Sequence, residues 1–430
     1  MTVVLWASMV QADTTETGNW SSGDTLGKTV QLASADLAVS LRPVPRPSIE
    51  ALHVSAAAVA RFQVWLSAFQ GRAQQQGITK GTLSQVFSDI TFDEDIIERD
   101  RNQAEFSKPI WEYLESAVSD TRLSNGRAAM QRHRQVLNRI EAEYGVEKEV
   151  VTAIWGLETS FGSYRGSSRT LRSLATLAFD ARRAQFFETQ LIAALQIVQA
   201  GDVSAANMLG SWAGAMGHTQ FMPTSYLDHA VDFDGDGRRD IWSDDPTDAL
   251  ASAASYLAQH GWTKGQPWGV EVRLPADFDY ASARRDFTRM PSEWAARGVL
   301  GRDGTPVPDH GRAAILLPAG GQGVALMIFD NFSVIEAYNG ADAYVIGIGH
   351  LSDRLTGGAP FLSDWPRAER VLSFSEQKEL QFRLTEAGFD TKGIDGRTGP
   401  NTINAVRAYQ LAQGLRPDGY PTVRLLDQLR

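Results

Sequence analysis

The sequence predicts a mainly helical fold, α+β in class, with a small β-rich subdomain and a compact helical unit at the C-terminus. From about residue 56 to 265, apolar residues recur at helical spacing. The first such stripe, at i, i+3, i+4 and i+7, is Phe62, Trp65, Leu66 and Phe69. Between 268 and 333, apolar and polar residues alternate as they do in strands. Asp-Gly pairs beyond residue 373 are typical of turns between short helices.

A chain of 430 residues is too long for one ordinary core, so we expect several units. Changes of composition and stretches rich in Gly and Pro give the boundaries. The predicted units are a signal-peptide remnant at 1–12, an extended leader at 13–57, a main domain at 58–356, a linker at 357–372 and a terminal domain at 373–430.

Within the main domain, residues 127–144 and 184–200 are predicted helices, and Gly201 is the expected end of the second. The strand-like pattern of 268–333 predicts a β-rich insertion. Helical periodicity then returns and continues to residue 355.

Composition excludes several classes of function. There is no cysteine, so thiol nucleophiles, disulfides and a lipid anchor on Cys are excluded. The net charge of −10 argues against nucleic acid as a partner. No internal apolar run is long enough to span a bilayer. The first twelve residues end in a Val-x-Ala pattern like a secretory cleavage site without its basic start, and an ordinary apolar N-terminus is the alternative.

Glu158 is the most informative residue, because it is a single carboxylate near the end of an otherwise apolar helical run. Burial there would raise its pKa and keep it protonated near neutral pH. A carboxyl group that holds its proton is what cleavage of a glycosidic bond requires. The alternative is a structural glutamate that caps the helix or pairs with an arginine.

The segment 211–223 combines small residues with Trp, Phe, Met and a single Gln. Small residues let the backbone approach a ligand closely, and apolar faces suit sugar rings. Gln220 adds an amide that can donate and accept hydrogen bonds. A Gly-rich junction between helices would look similar.

Residues 232–240 begin with Asp at every second position followed by Gly, the first half of an EF-hand loop. Position 12 of this loop is Ser243 and not the usual bidentate Glu. Three further carboxylates follow, so a lengthened loop could still close around a cation. A solvated acidic turn is the alternative.

Together these segments resemble the B-type membrane-bound lytic murein transglycosylases and their soluble relatives, over about residues 58–355. Further motifs that carry the resemblance lie at 182–187, 231–237, 246–249, 256–262, 337–340 and Tyr344. The resemblance implies a goose-lysozyme-like helical core with helical and β-rich subdomains. It also implies a soluble form, since lipid-anchored members carry an N-terminal Cys that this chain lacks.

By matching motif, the resemblance makes Glu158 the sole catalytic acid and base. The residues it places along the saccharide site are Ser211, Gln220, Phe221, Tyr338, Asn339, Tyr344, Tyr256, Arg183, Phe186 and Tyr113. The match at Tyr113 rests on spacing more than on motif, and Phe186 stands where the family often has Tyr. The calcium ligands it implies are Asp232, Asp234, Asp236, the carbonyl of Arg238, and Asp248. Two extra residues precede Pro246, so the spacing between the acidic turn and the last ligand departs from the family pattern. No organic cofactor is implied.

The implied reaction breaks the MurNAc-β-1,4-GlcNAc bond of peptidoglycan without water. The C6 hydroxyl of MurNAc attacks C1 and leaves a 1,6-anhydro end, which fits a site with one carboxylate where ordinary glycosidases need two. One alternative is a hydrolytic lysozyme of the same fold, in which a residue such as Asp180 positions water. Another is a wall-binding scaffold with an inert groove.

The C-terminal residues resemble the type-1 peptidoglycan-binding domain, a three-helix module, and a generic helical tail is the alternative. The matching segments are 381–384, 388–389, 394–402, 405–410, 418–419 and 425–426. The resemblance as a whole implies a monomeric periplasmic protein with structural calcium, whose partners are glycan strands and muropeptides.

Overall fold

The computed structural model describes residues 49–102 and 108–430. The predicted signal segment and most of the leader lie outside these residues. The first nine helices are α1 (Ile49–Gln75), α2 (Lys80–Phe87), α3 (Glu94–Asn102), α4 (Ile110–Ala117), α5 (Asp120–Arg132), α6 (Arg134–Tyr144), α7 (Lys148–Thr159), α8 (Thr170–Phe179) and α9 (Ala184–Ala200). The remaining helices are α10 (Pro223–His229), α11 (Thr247–Gln259), α12 (Pro291–Ala295), α13 (Asp330–Tyr338), α14 (Asp342–Leu355), α15 (Phe374–Glu386), α16 (Pro400–Ala412) and α17 (Val423–Leu429). None of the helices in the described ranges is long and apolar enough to cross a membrane.

Helix α7 lies at the centre of the largest core, which confirms the mainly helical class. Nearly all its side chains are buried, because the segment is apolar on every face. It packs against α14, α5, α6 and α11. A residue at the end of this helix is therefore held by several neighbours at once.

The β-rich insertion forms a four-stranded antiparallel sheet in the order β4-β3-β6-β5. Its strands are β3 (Gly269–Arg273), β4 (Leu300–Gly301), β5 (Ala314–Leu316) and β6 (Ala325–Ile328), and a separate two-stranded ladder pairs β1 (Ser168–Arg169) with β2 (Leu209–Gly210). The sheet has its own hydrophobic cluster around the fully buried Trp294. The predicted insertion contains the whole sheet, although α13 begins three residues before its predicted end.

Helix boundaries show where the sequence-based predictions were right and where they were wrong. Helix α9 matches its prediction, and Gly201 ends it with a left-handed φ of 87°. The single helix predicted at 127–144 is two helices, because His133 leaves helical geometry with ψ at 21°. The end of the leader is helical from Ile49 onward, since six of the residues 49–58 are Ala, Leu or Glu, which favour helices.

The C-terminal unit comprises α15, α16 and α17 around a separate small core. Ser373 and Glu376 form a capping box that begins α15. The preceding segment is packed and not a free tether: Phe361 stacks on His350 with ring centroids 4.0 Å apart. The unit also contacts the insertion, where the Gly321 amide donates to Asp418 Oδ2 at 3.0 Å.

Candidate active site

Glu158 lies in the last turn of α7 with its side chain only partly exposed. Burial raises its pKa to about 7, although the hydrogen bond from Tyr344 acts in the opposite direction. The Tyr344 hydroxyl donates to Glu158 Oε1 at 2.7 Å. Because Oε1 is the acceptor, the proton of the neutral acid belongs on Oε2. Glu158 is therefore a carboxyl group that can hold and release a proton near neutral pH.

The end of α7 is built to present this carboxyl group. Ser160, Phe161 and Gly162 adopt left-handed φ values of 48°, 59° and 81°, which turn the chain sharply after the helix. The Phe161 ring then folds back onto Gly156, where an added Cβ would lie 2.7 Å from the ring. This close approach requires glycine at 156 and fixes the last turn of the helix.

Three tyrosines surround Glu158, and each comes from a different helix. Tyr344 is on α14, Tyr338 ends α13 and Tyr113 is on α4. Burial raises the pKa of all three phenols, and the charge of Glu158 raises them further. The Tyr338 hydroxyl donates to the Thr219 carbonyl at 2.6 Å. The tyrosines therefore remain neutral donors beside the acid.

The loop 211–222 brings Ser211 and Gln220 to the same region. The Ser211 hydroxyl accepts the Ala215 amide at 3.1 Å, which stabilises a tight turn. Gln220 has a left-handed φ of 53°, and its Nε2 donates to the carbonyls of Arg165 and Gly217 at 3.2 and 2.9 Å. Both amide hydrogens are thus used within the protein, so Oε1 is the atom that Gln220 offers to a ligand.

Three other residues expected along the saccharide site are more buried. Phe221 is only 2% exposed, and its ring packs against those of Tyr256 and Tyr338, so its contact with a saccharide stays a prediction. Tyr256 is 9% exposed, and its hydroxyl donates to the Ala337 carbonyl at 2.7 Å. Asn339 is 5% exposed and its Oδ1 accepts the Ala341 amide at 3.1 Å.

Arg183 and Phe186 lie at the start of α9. The Arg183 guanidinium pairs with buried Asp100 of α3 and lies over the Phe187 ring at 4.8 Å. Arg182 donates to the same carboxylate at 2.8 Å. Phe186 is partly buried and meets Phe187 edge to face. Both predicted groove residues therefore belong to one arginine-rich and aromatic corner.

The acidic loop, residues 232–240, lies between α10 and α11. This is the helix-loop-helix order of an EF-hand. Asp232, Asp234 and Asp236 each bring a carboxylate oxygen within 4.8 Å of the others, and all three are exposed. The Arg238 amide donates to Asp236 Oδ1 at 2.9 Å, which places this residue in the same turn. Three converging hard oxygen donors suit calcium.

Asp248 does not join these three carboxylates. It is 3% exposed, and its two oxygens accept the amides of Phe233, Asp234 and Asp240. These bonds connect the loop to the start of α11, so Asp248 stabilises the loop through hydrogen bonds to its main chain. Its role as a ligand remains a prediction.

Two residues beside the site were not singled out from the sequence. His218 is buried, and its Nδ1 accepts the Trp155 indole N–H at 3.1 Å. Arg165 follows α7 and contacts the loop that carries Ser243. A histidine inside the Gly-rich segment was the one sequence signal that pointed to His218, whereas nothing local pointed to Arg165.

A carboxyl group whose pKa is raised to about 7 suits the general acid of an enzyme that cleaves glycosidic bonds. The family described as "Transglycosylase SLT domain" matches residues 61–353, and "Putative peptidoglycan binding domain" matches residues 375–429. Because the first match covers more than half of the chain, this chain belongs to the SLT-domain family of lytic transglycosylases.

Individual relatives agree with this assignment. Membrane-bound lytic murein transglycosylase B of Escherichia coli (strain K12) is 34% identical over 243 residues, which are 56% of this chain and 65% of that protein. SltB3 of Pseudomonas aeruginosa, solved with NAG-anhNAM-pentapeptide, is 46% identical with a TM-score of 0.84, over 86% of this chain and 99% of that one. Slt35 of E. coli, solved with calcium, is 29% identical with a TM-score of 0.58, over 69% of this chain and 93% of that one.

Proposed function

We propose that this chain cleaves the MurNAc-β-1,4-GlcNAc bond of peptidoglycan by internal attack of the MurNAc C6 hydroxyl, leaving 1,6-anhydroMurNAc ends. The observation that carries the proposal is the single carboxyl group of Glu158, whose pKa is raised to about 7. Tyr113 and Tyr338 lie close to this carboxyl group, because the charge of Glu158 raises the pKa of both buried phenols.

In the first step, Glu158 donates the proton on Oε2 to the glycosidic oxygen, and the GlcNAc side leaves. Tyr344 keeps its hydrogen bond to Oε1 and stabilises the carboxylate that forms. The charge that develops on the MurNAc ring lies near this new carboxylate, and Gln220 Oε1 accepts a hydrogen bond from the sugar.

In the second step, the Glu158 carboxylate takes the proton of the C6 hydroxyl as that oxygen bonds to C1. The nucleophile belongs to the reacting sugar, so no water has to be positioned. Glu158 ends the cycle protonated, and no second carboxylate is needed. SltB3, which is similar over most of this chain, binds NAG-anhNAM-pentapeptide, a fragment with an anhydro sugar.

A hydrolytic reaction finds less support in the same geometry. Asp180, the residue considered for positioning water, caps α8 and pairs with Arg101 at 3.3 Å. Its carboxylate is therefore engaged elsewhere in the described structure.

The test is product analysis on purified sacculi with the wild type and Glu158→Gln. The wild type should release fragments whose ends resist borohydride reduction, because the anhydro ring has no free reducing carbon. Glu158→Gln should lose at least about a hundredfold in turnover, since the amide keeps the shape but cannot donate a proton. Reducible ends would favour hydrolysis, and retained turnover would remove Glu158 from the mechanism.

We also propose that Asp232, Asp234 and Asp236 hold a structural calcium ion, with the Arg238 carbonyl and Asp248 as further candidate ligands. The convergence of the three carboxylates supports this, as does the calcium complex of the relative Slt35. Bound calcium would offset most of the negative charge of three carboxylates that otherwise repel one another in the loop.

We propose that the protein acts in the periplasm. We also propose that it is a monomer. The C-terminal module would bind glycan strands or their stem peptides, in keeping with its match to a peptidoglycan-binding family.

A further inference from the structure

Arg165 connects the end of α7, the catalytic helix that carries Glu158, to the segment that follows the acidic loop. Its Nη1 donates to the carbonyl of Ser243, which lies between the acidic loop and α11. Its Nη2 pairs with Asp244 at 2.8 Å, but the Asp244 side chain is 99% exposed. Exposed ion pairs contribute little, so the bond to the main-chain carbonyl is the more important contact.

The main chain of Arg165 in turn holds Gln220. The Arg165 carbonyl accepts Gln220 Nε2 at 3.2 Å, and Gly217 accepts the same group at 2.9 Å. These two bonds fix the direction of Gln220 Oε1. The next residue, Gly166, lies so close to the loop that an added Cβ would be 2.2 Å from the Gly210 carbonyl. A shift of Arg165 would therefore move Gln220 with it.

His218 reaches the same carbonyl beside Arg165, with its Nε2 3.0 Å from Arg165 Nη1. Trp155 donates to His218 Nδ1, so the neutral ring carries its proton on Nε2 and donates it to Ser243 at 2.8 Å. Trp155 precedes Glu158 by three residues on α7, and His218 precedes Gln220 by two. The catalytic helix, the Gln220 loop and the segment after the acidic turn thus meet at the Ser243 carbonyl.

We propose that Arg165 is a positioning residue that acts through Gln220. By holding the Ser243 carbonyl, it sets where Gln220 Oε1 lies relative to the Glu158 carboxyl group. Gln220 then meets the saccharide in the correct place, whereas Arg165 itself touches only protein. The inference rests on the proposed lytic reaction and on the contact of Gln220 with substrate.

The test is a double-mutant cycle of Arg165→Met and Gln220→Ala, measured as kcat/KM on a soluble muropeptide. Arg165→Met alone should lower kcat/KM by about tenfold or more, because small misplacements at a site are costly. In the Gln220→Ala background, the same change should cost less than about threefold, since the group it positions is already gone. If the loss of kcat/KM in the double variant equals the product of the two single losses, the inference is overturned, because Arg165 would then act independently of Gln220.

Three further variants separate positioning from general damage. Arg165→Lys keeps the charge and can reach one acceptor, so it should recover part of the loss and still show the coupling if Arg165→Met folds poorly. Asp244→Asn should leave kcat/KM unchanged, and a loss as large as that of Arg165→Met would overturn the role of the carbonyl. Arg169→Met removes a nearby exposed pair with Asp89 and should have no effect in either background. If Glu158→Gln retains turnover, the proposed reaction itself is wrong, whatever the result of the double-mutant cycle.

Discussion

Replacement of Glu158 by glutamine should stabilise the protein at alkaline pH while it removes activity. The folded-state pKa of Glu158 is about 7, against an ordinary value of 4.5. Between these values the folded protein binds more protons at this site than the unfolded chain does. Stability therefore falls as the pH rises through this window. Glutamine has no charge to bury, so the variant avoids that loss.

The magnitude follows from the shift. A difference of 7 minus 4.5 is 2.5 pKa units, and at about 1.4 kcal/mol per unit it gives an upper limit of about 3.5 kcal/mol above pH 7. About 3 kcal/mol of this separates pH 4.5 from pH 8, because the unfolded carboxyl is already half ionised at pH 4.5. At about 2 °C per kcal/mol for a domain of this size, the melting temperature of the variant should gain at most roughly 6 °C at pH 8 over its gain at pH 4.5. The measurement is the free energy of unfolding of both proteins at each pH. An equal difference at both pH values would refute the raised pKa.

Two control variants test the sign of this reasoning. Burial raises the pKa of Asp353 to about 6, opposed by the hydrogen bond from the Trp268 indole, so Asp353→Asn should also gain stability as the pH rises, with activity unchanged. At Glu141, burial would raise the pKa, but bonds from Lys264 and Lys148 outweigh it and lower the pKa. Glu141→Gln should therefore lose stability relative to the wild type as the pH rises from acid to neutral.

The remaining predictions concern the metal loop and the C-terminal module. Calcium should raise the melting temperature, and Asp232→Ala with Asp236→Ala should abolish that rise, because a ligand that binds only the folded state stabilises it; an unchanged melting curve with calcium in the wild type would contradict the site. Deletion of residues 371–430 should weaken binding to intact sacculi in a pelleting assay but spare cleavage of short soluble muropeptides, because only a long polymer can engage both units. Loss of activity on the short fragments as well would show that the docked module helps to build the site.

Local patterns in the sequence predicted the helical class, the insertion and the place of Glu158, because helical periodicity and an isolated carboxylate are visible within one segment. The family motifs supplied the tyrosines. Tyr344 lies 186 residues beyond Glu158, and periodicity alone gives no means of pairing residues so far apart. The hydrogen bond between them is a consequence of α14 packing on α7.

Other features depend on packing that the sequence pattern does not reveal. The break at His133 divides one apolar periodic stretch, and nothing in the stripe itself marks it. Phe221 looks like a sugar-stacking residue in its motif, but the fold packs its ring against those of Tyr256 and Tyr338. Arg165 contacts a loop about eighty residues away, so its importance appears only once the chain has folded.

The chemistry proposed for Glu158 explains why, in the part of the chain that the structure describes, tyrosines and not charged groups are its nearest polar neighbours. A cation beside Glu158 would lower its pKa and leave no proton for the glycosidic oxygen. A second carboxylate would raise the pKa further and keep the group protonated when it must act as a base. Neutral phenols exclude water and supply one hydrogen bond, so the pKa stays near 7 and both steps remain possible at one carboxyl group. The same buried surroundings disfavour the ionised carboxylate, so ionisation of Glu158 lowers the free energy of unfolding. Glu158→Gln should remove this loss of stability.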